Sequence, residues 1–296
     1  MRVCVVMSTY NGEAHLKEQL NSILSQTLPI DIFIRDDGSR DGTWDIVSEY
    51  ACHHGCIKAI RGDNLGCTAS FLTALRLAGD SYDYYAFSDQ DDVWHPDKME
   101  RAVSALERRD GSLPLLYCSN YNFCDGNLAF QSKSDLAPRE ITFPDTLYEN
   151  VCSGNTMVFN ACLRELALKV EVDAAYCHDW WLALVATAMG DIFFDQESSL
   201  EYRRTGDNVS PTGESFLKVL GFRIKAFLTG NELGKIKRQL IEFEKAYGPS
   251  LDEGKGALLH RCVAGNRVAR ATVPVRLRQK NVDEFALRTL MLLGRL

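Results

Sequence analysis

Three carboxylates, Asp89, Asp91 and Asp92, occupy four positions within the stretch FSDQDDVWHPDK, residues 87–98. Like charges this close resist ionising together unless a cation shares them. Mg²⁺ and Mn²⁺ prefer oxygen ligands, and Mg²⁺ is typically held by one or two carboxylates plus substrate phosphates. Such an ion neutralises a diphosphate as it leaves, which is Lewis-acid catalysis of substitution at the carbon carrying it. The pattern predicts a divalent metal, Mg²⁺ or Mn²⁺, and a diphosphate ester as substrate.

Two other polar runs follow apolar ones: Ser8-Thr9-Tyr10-Asn11-Gly12 and Asp36-Asp37-Gly38-Ser39. Each alone reads equally well as a helix cap or a β-turn. Together with the acidic run they offer one crevice, in which Tyr10 and Asp37 could stack on and hydrogen-bond a base. The chain has neither G-x-G-x-x-G nor G-x-x-x-x-G-K-[ST], so neither a dinucleotide redox site nor a P-loop is indicated. Further on, His178-Asp179-Trp180-Trp181 opens an apolar helix. Asp179 there is either a helix cap or a general base, with His178 and the two tryptophans placed to meet a sugar.

Holding three strand ends together needs a sheet, and the first half supplies the pattern for one. RVCVVMS, IDIFIRD, IKAIRG and YDYYAFS read as strands, separated by EAHLKEQLNSILSQ, TWDIVSEYACHH and TASFLTALRLAG as helices. That alternation gives right-handed βαβ units and an open parallel sheet with helices on both faces. Ligands of such sheets bind off the carboxyl ends of the strands. Beyond residue 210 the pattern turns helical and basic. Leu217, Leu220, Ile224 and Phe227, with Lys218 and Lys225 elsewhere on the wheel, and then Ile236, Leu240, Phe243 and Tyr247, recur at helical spacing. These faces either pack on the catalytic body or lie on anionic lipid.

Charge follows the same division. Of 33 Lys/Arg and 40 Asp/Glu, 18 basic and nine acidic residues lie after residue 202, so an acidic front of about −16 is joined to a back of +9. By charge alone, nucleic acid or a membrane surface fits the back end equally well; with the resemblance given below, the expected partner is a membrane surface and not nucleic acid. Ten cysteines without metal-ligand spacing suit reduced thiols in a cytosolic protein. The first apolar run is shorter than a signal-peptide core, and no run reaches a membrane span. The expected location is the cytoplasm, peripheral on the inner face of the membrane.

The ordered set V-x-x-S-T-Y-N-G-E, I-R-D-D-G-S-x-D-G-T, N-L-G and F-S-D-Q-D-D-V-W resembles the family 2 glycosyltransferases of GT-A fold, in the branch often assigned as rhamnosyltransferases of bacterial surface polysaccharides. The resemblance spans roughly residues 1–210. It implies an α/β, Rossmann-like, mostly parallel sheet flanked by helices, with a helical C-terminal extension at 211–296. A nucleotide-sugar-binding half would cover 1–112 and an acceptor half 113–210. Tyr10 would pack on the base and Asp37 hydrogen-bond it, with Ser8, Thr9, Asn11, Asn64 and Gln90 also on the donor. Asp89 and Asp91 would form the metal-binding D-x-D, Asp91 as direct ligand and Asp92 bracing the loop. Trp94, counted with the acceptor-binding residues, would line the donor pocket or pack beneath it. Asp179 lies where similar enzymes carry their base, beside acceptor-binding His178, Trp180 and Trp181. Tyr202-Arg203-Arg204-Thr205-Gly206-Asp207-Asn208 is similar to the family's Y-R-x-H-x-x-N, but Thr205 stands where many relatives have histidine. Arg203 or Arg204 would then take up diphosphate charge.

The expected reaction is inverting transfer from a nucleotide-diphosphate sugar, dTDP-rhamnose within that branch, to a saccharide or lipid-linked saccharide. Two alternatives are a sugar-1-phosphate nucleotidyltransferase, disfavoured by the missing Gly-rich basic loop, and a non-catalytic carbohydrate-binding scaffold. If Asp179 is only a cap, the base moves to Asp207 or Glu201.

Overall fold

A computed structural model describes residues 1–204 and 231–295. The expected alternation is present: β1 (Val3–Thr9), α1 (Leu16–Leu24), β2 (Asp31–Asp36), α2 (Thr43–His53), β3 (Ile57–Arg61), α3 (Cys67–Leu77) and β4 (Tyr84–Ser88). After it come β5 (Val93–Trp94), α4 (Lys98–Glu107), β6 (Leu115–Cys124), β7 (Phe130–Lys133), α5 (Phe143–Thr146), β8 (Val158–Asn160), α6 (Ala161–Ala167), α7 (His178–Met189) and β9 (Asp191–Arg203). The C-terminal part holds α8 (Asn231–Tyr247), α9 (Glu253–Ala264), α10 (Arg267–Ala271) and α11 (Asn281–Leu292).

The strands form a single mixed sheet in the order β3-β2-β1-β4-β8-β6-β9-β5, with β7 also on β6. β1 runs parallel to β2, with Thr9 opposite Asp36, and parallel to β4, with Met7 opposite Ser88. The carboxyl ends of β1, β2 and β4 therefore lie side by side, and the three polar runs open on one crevice. β1 is buried almost throughout, which explains its run of Val, Cys and Met: a central parallel strand is covered on both faces.

The second half closes the sheet with antiparallel β8 and with β9, which runs parallel to β6 for most of its length. α8 turns Ile236, Leu240, Phe243 and Tyr247 inward, and all four are buried. The Phe243 and Tyr247 rings lie 5.6 and 6.0 Å from Trp181, and the Tyr247 hydroxyl donates to the Leu166 carbonyl at 2.6 Å. Burial of side chains this size contributes about 1.5–3 kcal/mol each, so this helix packs on the protein body and its apolar face is not a lipid contact. The sequence positions Leu217, Lys218, Leu220, Ile224, Lys225 and Phe227 lie outside the described residues, as do Thr205 and Asp207.

Candidate active site

The loop after β1 is pinned to the loop after β4 by Gln90. Its amide accepts from the Tyr10 N–H at 2.8 Å and donates to the Tyr10 carbonyl at 3.1 Å. A Cβ at Gly12 would meet that amide at 2.4 Å, so only glycine permits the clamp. Gln90, expected on the donor, thus spends its polar atoms within the protein. Tyr10 itself is 44% exposed over the crevice. Asn11 takes a left-handed turn (φ 49°), which asparagine tolerates, and its Oδ1 accepts from the Arg40 N–H. The Ser8 hydroxyl lies 2.6 Å from that of Ser70. Asn64 is exposed at the crevice edge.

The donor-side expectation for Thr9 needs correction. Thr9 is fully buried and its hydroxyl donates to Asp36 at 3.1 Å, so it braces the turn and does not face a ligand. Asp37 is buried as well. Its oxygens accept from the N–H groups of Leu65 and Gly66, both at 2.9 Å, and from the guanidinium of Arg35. A carboxylate engaged in this way fastens the Asn64-Leu65-Gly66 turn to β2, with Oδ2 accepting a single N–H.

The acidic run after β4 is arranged differently. Asp89 and Asp91 are partly exposed, whereas Asp92 is buried, with one oxygen on the Asn155 amide at 2.6 Å and the other without a hydrogen-bond partner among the described residues. Burial and the neighbouring charges of Asp91 and Asp179 raise the Asp89 pKa to about 7. Burial raises Asp91, against the pull of His15 and Arg203, and burial with its two acidic neighbours holds Asp92 well above the carboxylate range. Beneath them lies a residue that sequence reading missed. Lys98, the first residue of α4, is fully buried, donates to the Asn155 carbonyl at 2.5 Å, and sits 3.4 Å from the centroid of the Trp94 ring. Its charge faces Asp92 and Asp89, while burial lowers its pKa. Trp94 is buried, so of its two readings the structure shows packing beneath the site.

Among the described residues, three carboxylates meet one buried lysine, with His15 and Arg203 acting on Asp91, and burial still raises the pKa of each. Hard oxygen donors with weakened acidity, two of them partly exposed, fit Mg²⁺ or Mn²⁺. Among the described residues no three His, Cys, Asp or Glu side chains converge on one point suited to an ion. The fold presents carboxylates to which substrate phosphates must add.

Asp179 stands on the opposite wall, in the first turn of α7. Cys177 is the N-cap residue and Asp179 the second residue of the helix; Oδ2 accepts from the Gly154 N–H at 3.1 Å, and Oδ1 accepts at 2.7 Å from the Trp180 N–H, a first-turn donor of the same helix, as the cap reading expects. The Gly154 turn can approach this closely because a Cβ there would meet His178 at 3.0 Å. Desolvation of the thiol, and then the charges of Asp89, Asp179 and Asp37, push the pKa of Cys67 up at the start of α3, although the residue as a whole is exposed.

The aromatic flank of Asp179 is not what its sequence suggests. Trp181 is fully buried, its N–H on the Ala167 carbonyl at 3.1 Å; Trp180 is buried, its N–H on Thr146 at 2.6 Å. His178 stacks on Phe71 at 4.2 Å, and burial depresses its pKa. These rings complete the apolar core and cannot stack on a sugar as placed. Arg203 also departs from expectation. It is buried, donating to the carbonyls of Asp91 and Gly126 and to Glu18, so it braces the acidic loop. Arg204 lies 3.9 Å over the Phe123 ring and is partly exposed. Glu201 is tied to His95, Asn122 and Cys124.

Residues 4–162 match the family model described as Glycosyl transferase family 2. Over 229 residues the chain is 40% identical to the dTDP-rhamnosyl transferase RfbG of Shigella flexneri, covering 71% of this chain and 75% of that protein. The chain spans a little under two thirds, 63%, of two glycosyltransferases from Rickettsia that it matches at 24–25% identity. Among solved structures, S. aureus TarS 1-349 superposes with a TM-score of 0.61 at 17% identity, over 100% of this chain and 80% of that one. The mannosyltransferase PcManGT from Pyrobaculum calidifontis, in complex with GDP-Man and Mn²⁺, gives 0.52 at 18% identity over 97% and 78%. Both structures share the fold.

Proposed function

The chain belongs to glycosyl transferase family 2, and on that footing we propose inverting transfer of a sugar from a nucleotide diphosphate to a saccharide or lipid-linked saccharide in cell-surface polysaccharide synthesis. The name of the 40% identical relative supports dTDP-rhamnose as donor. In this reading Tyr10, exposed over the crevice, packs on the base, and Asn64 stands on the turn that Asp37 secures. Asp89 and Asp91 hold a divalent ion, as the Mn²⁺ in the PcManGT complex supports. When bound, the ion supplies positive charge to the diphosphate as it leaves. Arg204, partly exposed over the Phe123 ring, meets the remaining phosphate charge.

Asp179 takes the proton from the acceptor hydroxyl. Two backbone N–H groups aim its carboxylate, and each oxygen keeps a further lone pair for that proton. One observation carries the reading: the consecutive residues Gly154 and Asn155 hold Asp179 and Asp92, through the Gly154 N–H at 3.1 Å and the Asn155 amide at 2.6 Å, so one turn joins the base to the acidic run. Single-step inversion needs one base and no enzymic nucleophile.

Thermal shift with nucleotide diphosphates and nucleotide sugars, with and without Mn²⁺, tests the donor side. Metal-enhanced stabilisation by dTDP-rhamnose is expected; a preference for nucleoside triphosphates, or no response to any of them, refutes it. On the acceptor side, Asp179→Asn should lower turnover by about 10²-fold or more with donor affinity kept within a few fold. Near-normal turnover by a folded variant removes Asp179 from the chemistry.

A further inference from the structure

The last helix, α11, is apolar on two opposite sides. Leu287 and Met291 are buried, and Arg288 anchors that side by donating to the carbonyls of Ala271, Val273 and Val275. The other side carries Val282, Phe285 and Leu292, exposed by 77%, 76% and 49%, with Leu293 at 62% just past the helix end. At 100° per residue these four side chains, with Ala286, fall within an arc of about 120°. A helix packed on a protein surface needs only one apolar stripe. This one has a second, and no described residue buries it.

The setting of that second stripe is basic. Residues 261–296 contain eight Lys/Arg and two Asp/Glu, and Arg267, Lys280 and Arg295 are exposed. A second copy of the chain would set one positive surface against another, at a cost in repulsion. An anionic lipid surface supplies the opposite charge and accepts apolar side chains at the same time.

We propose that the outer face of α11, Val282, Phe285, Leu292 and Leu293, seats this protein on an anionic membrane, with Arg267, Lys280 and Arg295 on the headgroups. The inference rests on the reading that the acceptor is lipid-linked. It also moves the membrane contact from α8, whose apolar face is filled by Trp181 and its neighbours, to α11. The helix lies in the interface and does not cross it; no helix among the described residues is long and apolar enough to span.

Co-sedimentation of the full chain with vesicles of phosphatidylcholine alone, or of equimolar phosphatidylcholine and phosphatidylglycerol, tests the proposal. The protein should bind the anionic vesicles and lose that binding as salt rises. Val282→Glu with Phe285→Glu should weaken binding by about tenfold or more, at unchanged melting temperature, because both side chains already face water. Arg267→Glu with Lys280→Glu, which leaves the apolar stripe intact, should weaken it by a few fold. Wild-type protein that stays in the supernatant overturns the proposal, as does equal binding by the folded apolar-face variant. A dimer in solution that the Glu variant dissolves, without vesicle binding, would assign the face to a second copy. The donor-induced thermal shift separates this result from the transferase reading: its loss would strike that reading and leave the vesicle result standing.

Discussion

Two acidic strand ends share one crevice and meet opposite fates. After β2, Asp36 and Asp37 are buried and saturated by the Thr9 and Ser39 hydroxyls, the N–H groups of Ser39, Leu65 and Gly66, and the guanidinium groups of Arg35 and Arg61. After β4, among the described residues, Asp89, Asp91 and Asp92 have one buried lysine, Lys98, one amide, Asn155, and the charges of His15 and Arg203 acting on Asp91. Both runs look alike as letters. What separates them is how much positive charge and how many N–H groups the chain itself brings. An acidic run is open to an outside cation where the fold stops short of neutralising it.

Substitution on each side can break that contrast. Asp91→Asn should lower transfer by about 10³-fold or more, the scale of several kcal/mol from a Lewis acid. The metal-free melting temperature should not fall, because a carboxylate whose charge burial disfavours is replaced by a neutral amide. Turnover and Mn²⁺ titration on the same preparation read both, and wild-type Mn²⁺ affinity would defeat the assignment. Asp37→Ala should do the reverse. It strands the buried Arg35 guanidinium and two N–H groups, so denaturant unfolding should show a loss of about 3 kcal/mol, with metal response retained in what remains folded. A variant as stable as wild type would mean that this end too is unsaturated.

The smallest effect is one of pH. Asp89 in the folded protein has its pKa raised to about 7, so the fold prefers its protonated form. That preference is fully present below the ordinary carboxylate pKa and is lost as pH rises through about 7. An ion requires the ionised form. Apparent Mn²⁺ affinity should therefore fall by about tenfold per pH unit below neutrality while one proton is displaced. A flat profile would take Asp89 out of the metal site.

How legible these features are in sequence depends on how far away their causes lie. The seven elements from β1 to β4 follow from periods of two and 3.6 within short windows, and the structure keeps each within three residues of its expected bounds. The convergence of three strand ends follows from parallel topology alone. The acceptor side is harder. Trp180 and Trp181 read as sugar platforms, yet Phe243 and Tyr247, more than 60 positions later, help to bury Trp181. Lys98 stands in the very stretch that suggests a metal, but reads as an ordinary helix start. Its role depends on Asn155, 57 residues away. Asp37 has the family's motif around it, and only the placement of Arg35 and the Gly66 turn shows that its oxygens are engaged.

The buried guanidinium of Arg203 holds the Asp91 carbonyl from 112 residues away and Glu18 from 185 away. Such long loop closures form late, because chain entropy opposes them until the intervening structure exists. As the chain leaves the ribosome, its first four strands can therefore assemble into a parallel sheet well before the acidic loop is locked. The sheet and the acidic loop would then be completed at different times, the interval ending when β9 docks.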